Sequence, residues 1–321
     1  MSDFRIIKPV DVTDARLNAS NVPEDDETEW DNTTTYATGD KVMVTDPGVH
    51  KRYESVTGSN TDNYPPDDDG SNWLELGATN RWAMFRQPIA LATKSNETYS
   101  EATYAVDTID GTAEGIAVTL EPGVLTDAIA LFNLSGAFAD IKVETSDGVA
   151  YERRINLVET MSDSDWWTFF FGDYERITEF ARFDLPLADE SKIFVSVFES
   201  DGNKAECGAL VVGRGINLGV TTYGTSHGIV DFSRKDRDTF GNPIITERRF
   251  AREVTYDVFG QPRTKSSFVQ RRLAEVRATP VVYEGSPDDP ATLVYGFFKE
   301  FDIVLTSFSH FEATVEVEGL T

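Results

Sequence analysis

Three histidines, His50, His227 and His310, and one cysteine, Cys207, are the only imidazole and thiol side chains in a chain carrying 55 acidic residues, among which a glycosidase pair of carboxylates has no distinguishing pattern. Thr225-Ser226-His227-Gly228 sets hydroxyls beside an imidazole. Adjacency in sequence is not triad geometry, so the string reads as a turn between strands. The Gly-x-Ser-x-Gly elbow, the phosphate-binding P-loop, His-Glu-x-x-His and paired Cys-x-x-Cys are all absent. Asp25-Asp26-Glu27 and Asp67-Asp68-Asp69 concentrate carboxylates without EF-hand spacing, and read as solvated acidic loops. No metal, no cofactor and no catalytic set is expected, and the reading is of a protein that is not an enzyme. Flat aromatic side chains are the better candidates for chemistry. Trp30, Tyr36, Tyr53, Tyr64 and Trp73 fall within one short stretch. Aromatic faces suit the C–H groups of a pyranose. The same rings also suffice as the core of a tiny domain, and both readings stand.

A second cluster is basic. Arg234, Lys235, Arg237, Arg248, Arg249 and Arg252 gather in a chain whose formal net charge is -26. The cluster is either a solvated hairpin surface or a contact, on the first five residues above all, for an acidic face of a neighbouring subunit. The overall charge repels phosphate backbones, so nucleic acid is not an expected partner. The opening residues Met1-Ser2-Asp3-Phe4-Arg5 lack an apolar signal core, and no run is long enough to span a bilayer. The expectation is synthesis in a cytoplasm, without a membrane span. With one cysteine no internal disulfide can form, and Cys207 reads as a small buried apolar group.

The elements that must carry these residues are mostly strands. The chain has 321 residues with 40% hydrophobic and 12% aromatic side chains. Alternating or apolar runs at Gly115–Leu120, Ala128–Phe132, Asp140–Glu144, Lys192–Phe198, Arg252–Val258 and Glu312–Gly319 predict strands. One helix is predicted over about Ser267–Arg277, with Phe268, Val269, Leu273 and Val276 on one stripe and Pro280 as its stop. Gly208, Gly213, Gly215 and Gly219 read as breaks that divide their region into short extended pieces. Trp166-Trp167-Thr168-Phe169-Phe170-Phe171 reads as core or as an oligomer interface. The fold expected is mainly β: a small three-stranded aromatic module, a β-sandwich or jelly roll, and a C-terminal antiparallel β region with one short helix. Along the chain this gives an N-terminal strand and acidic linker over 1–28, the module over 29–76, the sandwich over 77–207 and a β-rich assembly domain over 208–321.

The order Trp30, Tyr36, Gly39-Asp40-Lys41-Val42, Tyr53, Pro65, Trp73 resembles the small chitin-binding type of carbohydrate-binding module. Where that family carries a further exposed aromatic pair, this chain has Glu54-Ser55-Val56-Thr57. Leu76–Phe85 resembles a segment that follows such a module in tail proteins of long-tailed bacteriophages, and Ile229–Gly241 and Val294–Phe301 resemble the same group. That resemblance implies a galactose-binding-like jelly roll after the module. It also implies a structural protein of the virion, in the tail tip or baseplate and akin to the distal tail protein. The partners implied are other tail proteins, further copies of this chain and host-surface glycans. A receptor-binding adhesin and a polysaccharide depolymerase are the alternatives.

Overall fold

The computed structural model describes residues 2–86, 89–95, 114–159, 175–188, 190–199, 204–237, 239–240 and 242–320. The aromatic run Trp166–Phe171 lies outside them. The described chain is mainly β, with one α-helix, Ser266–Glu275.

The chain forms three β units, and one long strand joins the two larger ones. The first is the aromatic module. Its sheet runs in the order Thr28–Glu29, Lys41–Val44, Lys51–Ser55, Trp73–Ala78, and Thr35–Tyr36 pairs separately with Asn60–Thr61. The expected three strands are joined by a fourth, because Thr28–Glu29 runs parallel beside Val42 and Met43. The second unit is a sandwich. A five-stranded sheet, ordered Gly148–Asn156, Phe138–Thr145, Lys192–Glu199, Glu114–Leu120, Leu17–Ser20, packs Ile116, Ile141 and Val195 into one core with Ile129, Leu131, Leu210 and Val212. The alternation read in Asp140–Glu144 is this packing: Ile141 and Val143 are buried while Lys142 and Glu144 stay partly open.

The third unit is a closed barrel. Its six strands run Glu206–Thr221, Asp3–Pro9, Val281–Glu284, Leu293–Val304, Phe311–Gly319, Phe250–Gly260, and the last pairs back onto the first at Val220↔Phe259 and Thr221↔Val258. Closure removes sheet edges that would otherwise be open to pairing. The helix supplies Val269, Leu273 and Val276 to the barrel core, beside Phe4, Tyr256, Tyr283 and Phe311. It has no side-chain N-cap, so packing of this apolar stripe is what holds it.

The strand Glu206–Thr221 belongs to both larger units. Its first half pairs with Ala128–Ser135 of the sandwich and its second half with Asp3–Pro9 of the barrel. At about 3.3 Å per residue it spans roughly 50 Å. The four glycines do not break it. A Cβ at Gly213 would lie 2.0 Å from the Lys8 carbonyl oxygen, and one at Gly219 would lie 2.7 Å from the Phe259 carbonyl oxygen. Here glycine permits close strand approach and does not mark a turn. The point between 207 and 208 therefore falls inside a continuous strand. The N-terminal strand sits between elements more than 200 residues further along the chain.

Candidate assembly arm and aromatic module

Beyond the barrel the chain builds a two-stranded arm. Ser226–Asp231 pairs with Phe250–Thr255, and the ribbon continues as Arg234–Arg237 against Pro243–Thr246. Phe250–Gly260 is common to both structures, pairing with the arm at one end and with Phe311–Gly319 of the barrel. The arm is exposed on both faces. Ile229 is 64% exposed and Ile245 is 66% exposed, and Phe232, Phe240, Ile244 and Phe250 are exposed with them. A lone two-stranded ribbon is marginal in water. Complete burial of Ile229, Phe232, Ile244, Ile245 and Phe250 would contribute at most roughly 7–15 kcal/mol, taking about 1.5–3 kcal/mol for each. Exposed apolar patches of this kind are characteristic of interaction surfaces.

All five basic residues proposed for assembly stand on this arm and are exposed: Arg234, Lys235, Arg237, Arg248 and Arg249. Lys235 pairs with Asp231 at 2.8 Å, and Arg234 pairs with Asp236. Such exposed pairs add little stability. Arg252, at the arm base, pairs with Glu179 and so fixes the arm to the segment beneath it. Burial pushes the Glu179 carboxyl up, and Arg252 offsets part of that push. Two cavities flank this base, of about 330 Å³ and 730 Å³, and share Thr178, Glu179, Arg252 and Leu293.

The aromatic module holds its rings differently from a flat sugar platform. Tyr36, Tyr53 and Trp73 are only 7%, 4% and 2% exposed, and form the module core with Val42 and Val44. Tyr36 meets Trp73 edge to face at 5.2 Å, and Trp73 Nε1 donates to the Asn63 carbonyl. Burial, with the Glu75 charge, raises the Tyr53 hydroxyl to about 12. Trp30 and Tyr64 are half-buried and meet edge to face at 5.2 Å. They are the two members of the predicted set with ring surface left for a ligand. The Tyr64 hydroxyl donates to Asp46 at 2.5 Å. The expected acidic loop at Asp67–Asp69 has a structural task, because Asp68 accepts from the backbone N–H groups of Gly70, Asn72 and Trp73.

His50 joins the module to the body and carries no local sequence signal. Its Nδ1 lies 2.9 Å from Glu24 Oε1 and its Nε2 lies 2.6 Å from Asp14 Oδ1. Both ring nitrogens thus lie within hydrogen-bond distance of a carboxylate oxygen. The ring stacks on Trp82 at 4.3 Å, and Thr79 Oγ1 donates to the same Glu24 oxygen at 2.7 Å. His227 is exposed on the arm, and as a strand neighbour of Ser226 it faces the opposite way. His310 lies within 3.1 Å of the Ser307 and Ser309 hydroxyls on a surface loop. Among the described residues, no group of three His, Cys, Asp or Glu side chains is placed to hold a metal ion. No helix among the described residues is long and apolar enough to cross a membrane. No family model matches the chain, and no curated protein matches it.

Proposed function

We propose that the chain is a structural assembly subunit of a bacteriophage tail tip or baseplate, that its arm grips a neighbouring copy or another tail protein, and that it has no catalytic role. The exposed apolar arm, rooted in a closed barrel, carries the assembly part of this reading. The placement in a virion rests on the resemblance of Leu76–Phe85, Ile229–Gly241 and Val294–Phe301 to tail proteins. A distal-tail-like position and the galactose-binding-like jelly roll belong to the same resemblance. In this reading the module offers Trp30 and Tyr64 to host-surface glycans, while Tyr36, Tyr53 and Trp73 hold it in shape.

Sedimentation velocity tests the assembly part. The wild-type chain is expected to form oligomers that dissociate as salt rises, since basic arms meet acidic bodies. Replacing residues 232–249 with a short Gly-containing turn is expected to leave a folded monomer. Wild-type and arm-deleted chains that sediment alike as monomers would refute it. Immunogold labelling of intact particles tests the location, with label expected at the tail end distal to the head. Glycan binding is expected to be lost in Trp30→Ala/Tyr64→Ala with the module still folded. Release of reducing sugar ends by the purified protein would instead establish the depolymerase alternative.

A further inference from the structure

We propose that His50 is a pH-sensitive latch: its doubly protonated ring clasps the aromatic module to the loop over residues 10–16, and loss of one ring proton as pH rises through neutrality opens that clasp.

The ring stands where three segments meet the module. Its Nε2 lies 2.6 Å from Asp14 Oδ1, on the loop that leads from the barrel strand Asp3–Pro9 to the sandwich strand Leu17–Ser20. Its Nδ1 lies 2.9 Å from Glu24 Oε1, on the chain entering the module. The ring stacks on Trp82, on the chain leaving it. Asp14 grips the module with both of its oxygens, because the Gly48 N–H donates to Oδ2 at 2.9 Å. His50 is 6% exposed, and its φ of +49° lies in the left-handed region that side chains other than glycine seldom adopt. Such a conformation persists where surrounding contacts hold it, and it is typical of switch regions.

A neutral imidazole has one N–H and one bare nitrogen. Facing two ionised carboxylates, a bare nitrogen sets its lone pair against one of theirs. The imidazolium satisfies both. The surrounding charges agree. The loop presents Asp14 and the entering chain presents Glu24. The leaving chain presents Arg81, whose guanidinium lies 3.7 Å from Glu24 Oε2 while its Nε donates to the Val22 carbonyl. Arg86 lies over the Trp82 ring and faces Asp11 at 3.9 Å, and Asp26 accepts from the Asn80 N–H. On the module's own side Lys51 pairs with Glu75 at 2.8 Å. Two carboxylates thus share the Arg81 charge, and the ring proton supplies a second. Burial opposes ionisation of Asp14, but hydrogen bonds from His50 and from backbone N–H groups outweigh it and hold the carboxyl below the usual range.

Burial decides which contact survives loss of the proton. The Glu24 side chain is 8% exposed and keeps the remaining N–H, while Asp14, 40% exposed, turns to water. The module keeps its entering and leaving chains but loses its hold on the loop. Imidazole is the side chain whose charge changes in the neutral range. The clasped ring binds a proton that the released ring sheds, so the clasp is strongest at the acid side of neutrality and weakens as pH rises.

Amide hydrogen exchange of the full chain, read by NMR at about pH 6 and about pH 8.5, tests the latch. After correction for the intrinsic rate, protection of the Gly48 amide is expected to fall about tenfold at the higher pH, as one hydrogen bond to a charged group is lost. Amides of Lys51–Ser55, inside the module sheet, are expected to stay protected. Asp14→Asn exchanges an acceptor for a side chain that also donates, which suits a bare ring nitrogen. It is expected to abolish or reverse the fall, a result that a merely structural contact would not give. His50→Gln is expected to abolish it too. Equal Gly48 protection at both pH values in the wild type would overturn the latch. So would a fall of wild-type size in Asp14→Asn, which decides the matter at an exposed site even where His50→Gln fails to fold. Loss of Lys51–Ser55 protection along with Gly48 would overturn it as well, since the module would then be unfolding and not letting go.

Discussion

Replacing His50 by alanine is expected to destabilise the joint between module and body by about 2–4 kcal/mol. Hydrogen bonds to charged groups contribute about 1.5–3 kcal/mol each. His50 makes two, but they are unequal. The Asp14 side chain is 40% exposed, so water replaces the ring there at small cost. The Glu24 side chain is 8% exposed and keeps only Thr79 Oγ1 at 2.7 Å and Arg81 at 3.7 Å. Leaving a buried charge without its partner costs about 3–5 kcal/mol, which bounds the Glu24 contribution from above. Loss of the stack on Trp82 adds about 0.5–1.5 kcal/mol. Equilibrium urea unfolding, followed by tryptophan fluorescence, measures the change. Limited proteolysis across residues 23–28 reports whether the acidic linker has been released. His50→Gln, which donates to one carboxylate only, is expected to fall between wild type and alanine. A loss below about 0.5 kcal/mol for His50→Ala, with the linker still protected, would refute the hydrogen-bond reasoning.

Leu273→Ala empties the centre of the barrel core, where the side chain is wholly buried, and is expected to cost about 2–5 kcal/mol by urea titration. Gln270→Ala, on the exposed side of the same helix, is expected to change stability by less than about 0.5 kcal/mol. Cys207 is expected to resist thiol reagents until the chain unfolds, because burial pushes its thiol up to about 12 and closes access to it. Asp68 sets an acid limit for the module. Burial opposes its ionisation, but hydrogen bonds from the Asn72 side chain and from the backbone of Trp73, Asn72 and Gly70 outweigh it and hold the carboxyl at about 2. A depressed carboxylate contributes stability that is complete above the ordinary 3.8 and is lost as pH falls through about 2. Thermal melts between those values are expected to fall with pH in the wild type and to flatten in Asp68→Asn.

Local pattern made much of the fold legible. Alternation at Asp140–Glu144 and Arg252–Val258 reported which side chains face a core, and the apolar stripe with Pro280 placed the helix within two residues of its observed ends. Non-local pairing was hidden. Nothing in Asp3–Pro9 tells that it lies between Glu206–Thr221 and Val281–Glu284. The glycines of the shared strand have the composition of a broken loop, and only the proximity of the Lys8 and Phe259 carbonyls explains them. The order of aromatic residues from Trp30 to Trp73 is compatible with a platform or a core, because ring spacing does not encode which face water reaches. The basic cluster was visible as a contrast in charge. Its apolar companions Ile244 and Ile245 were not, because only the pairing of the ribbon shows that they stand exposed on it.

The assembly role proposed for the arm depends on how its base is rooted. A two-stranded ribbon hinged on a loop would sample many directions and lose entropy on every docking event. Here Phe250–Gly260 passes from the ribbon into the barrel without a break, and Val254, Tyr256 and Val258 are buried in the barrel core. The Arg252–Glu179 pair ties the base to the segment beneath it, and that segment pairs through Phe180–Arg182 with Ala128–Ser135 of the sandwich. Sandwich and barrel are themselves joined by the strand Glu206–Thr221. The base of the arm is thus held by two cores at once.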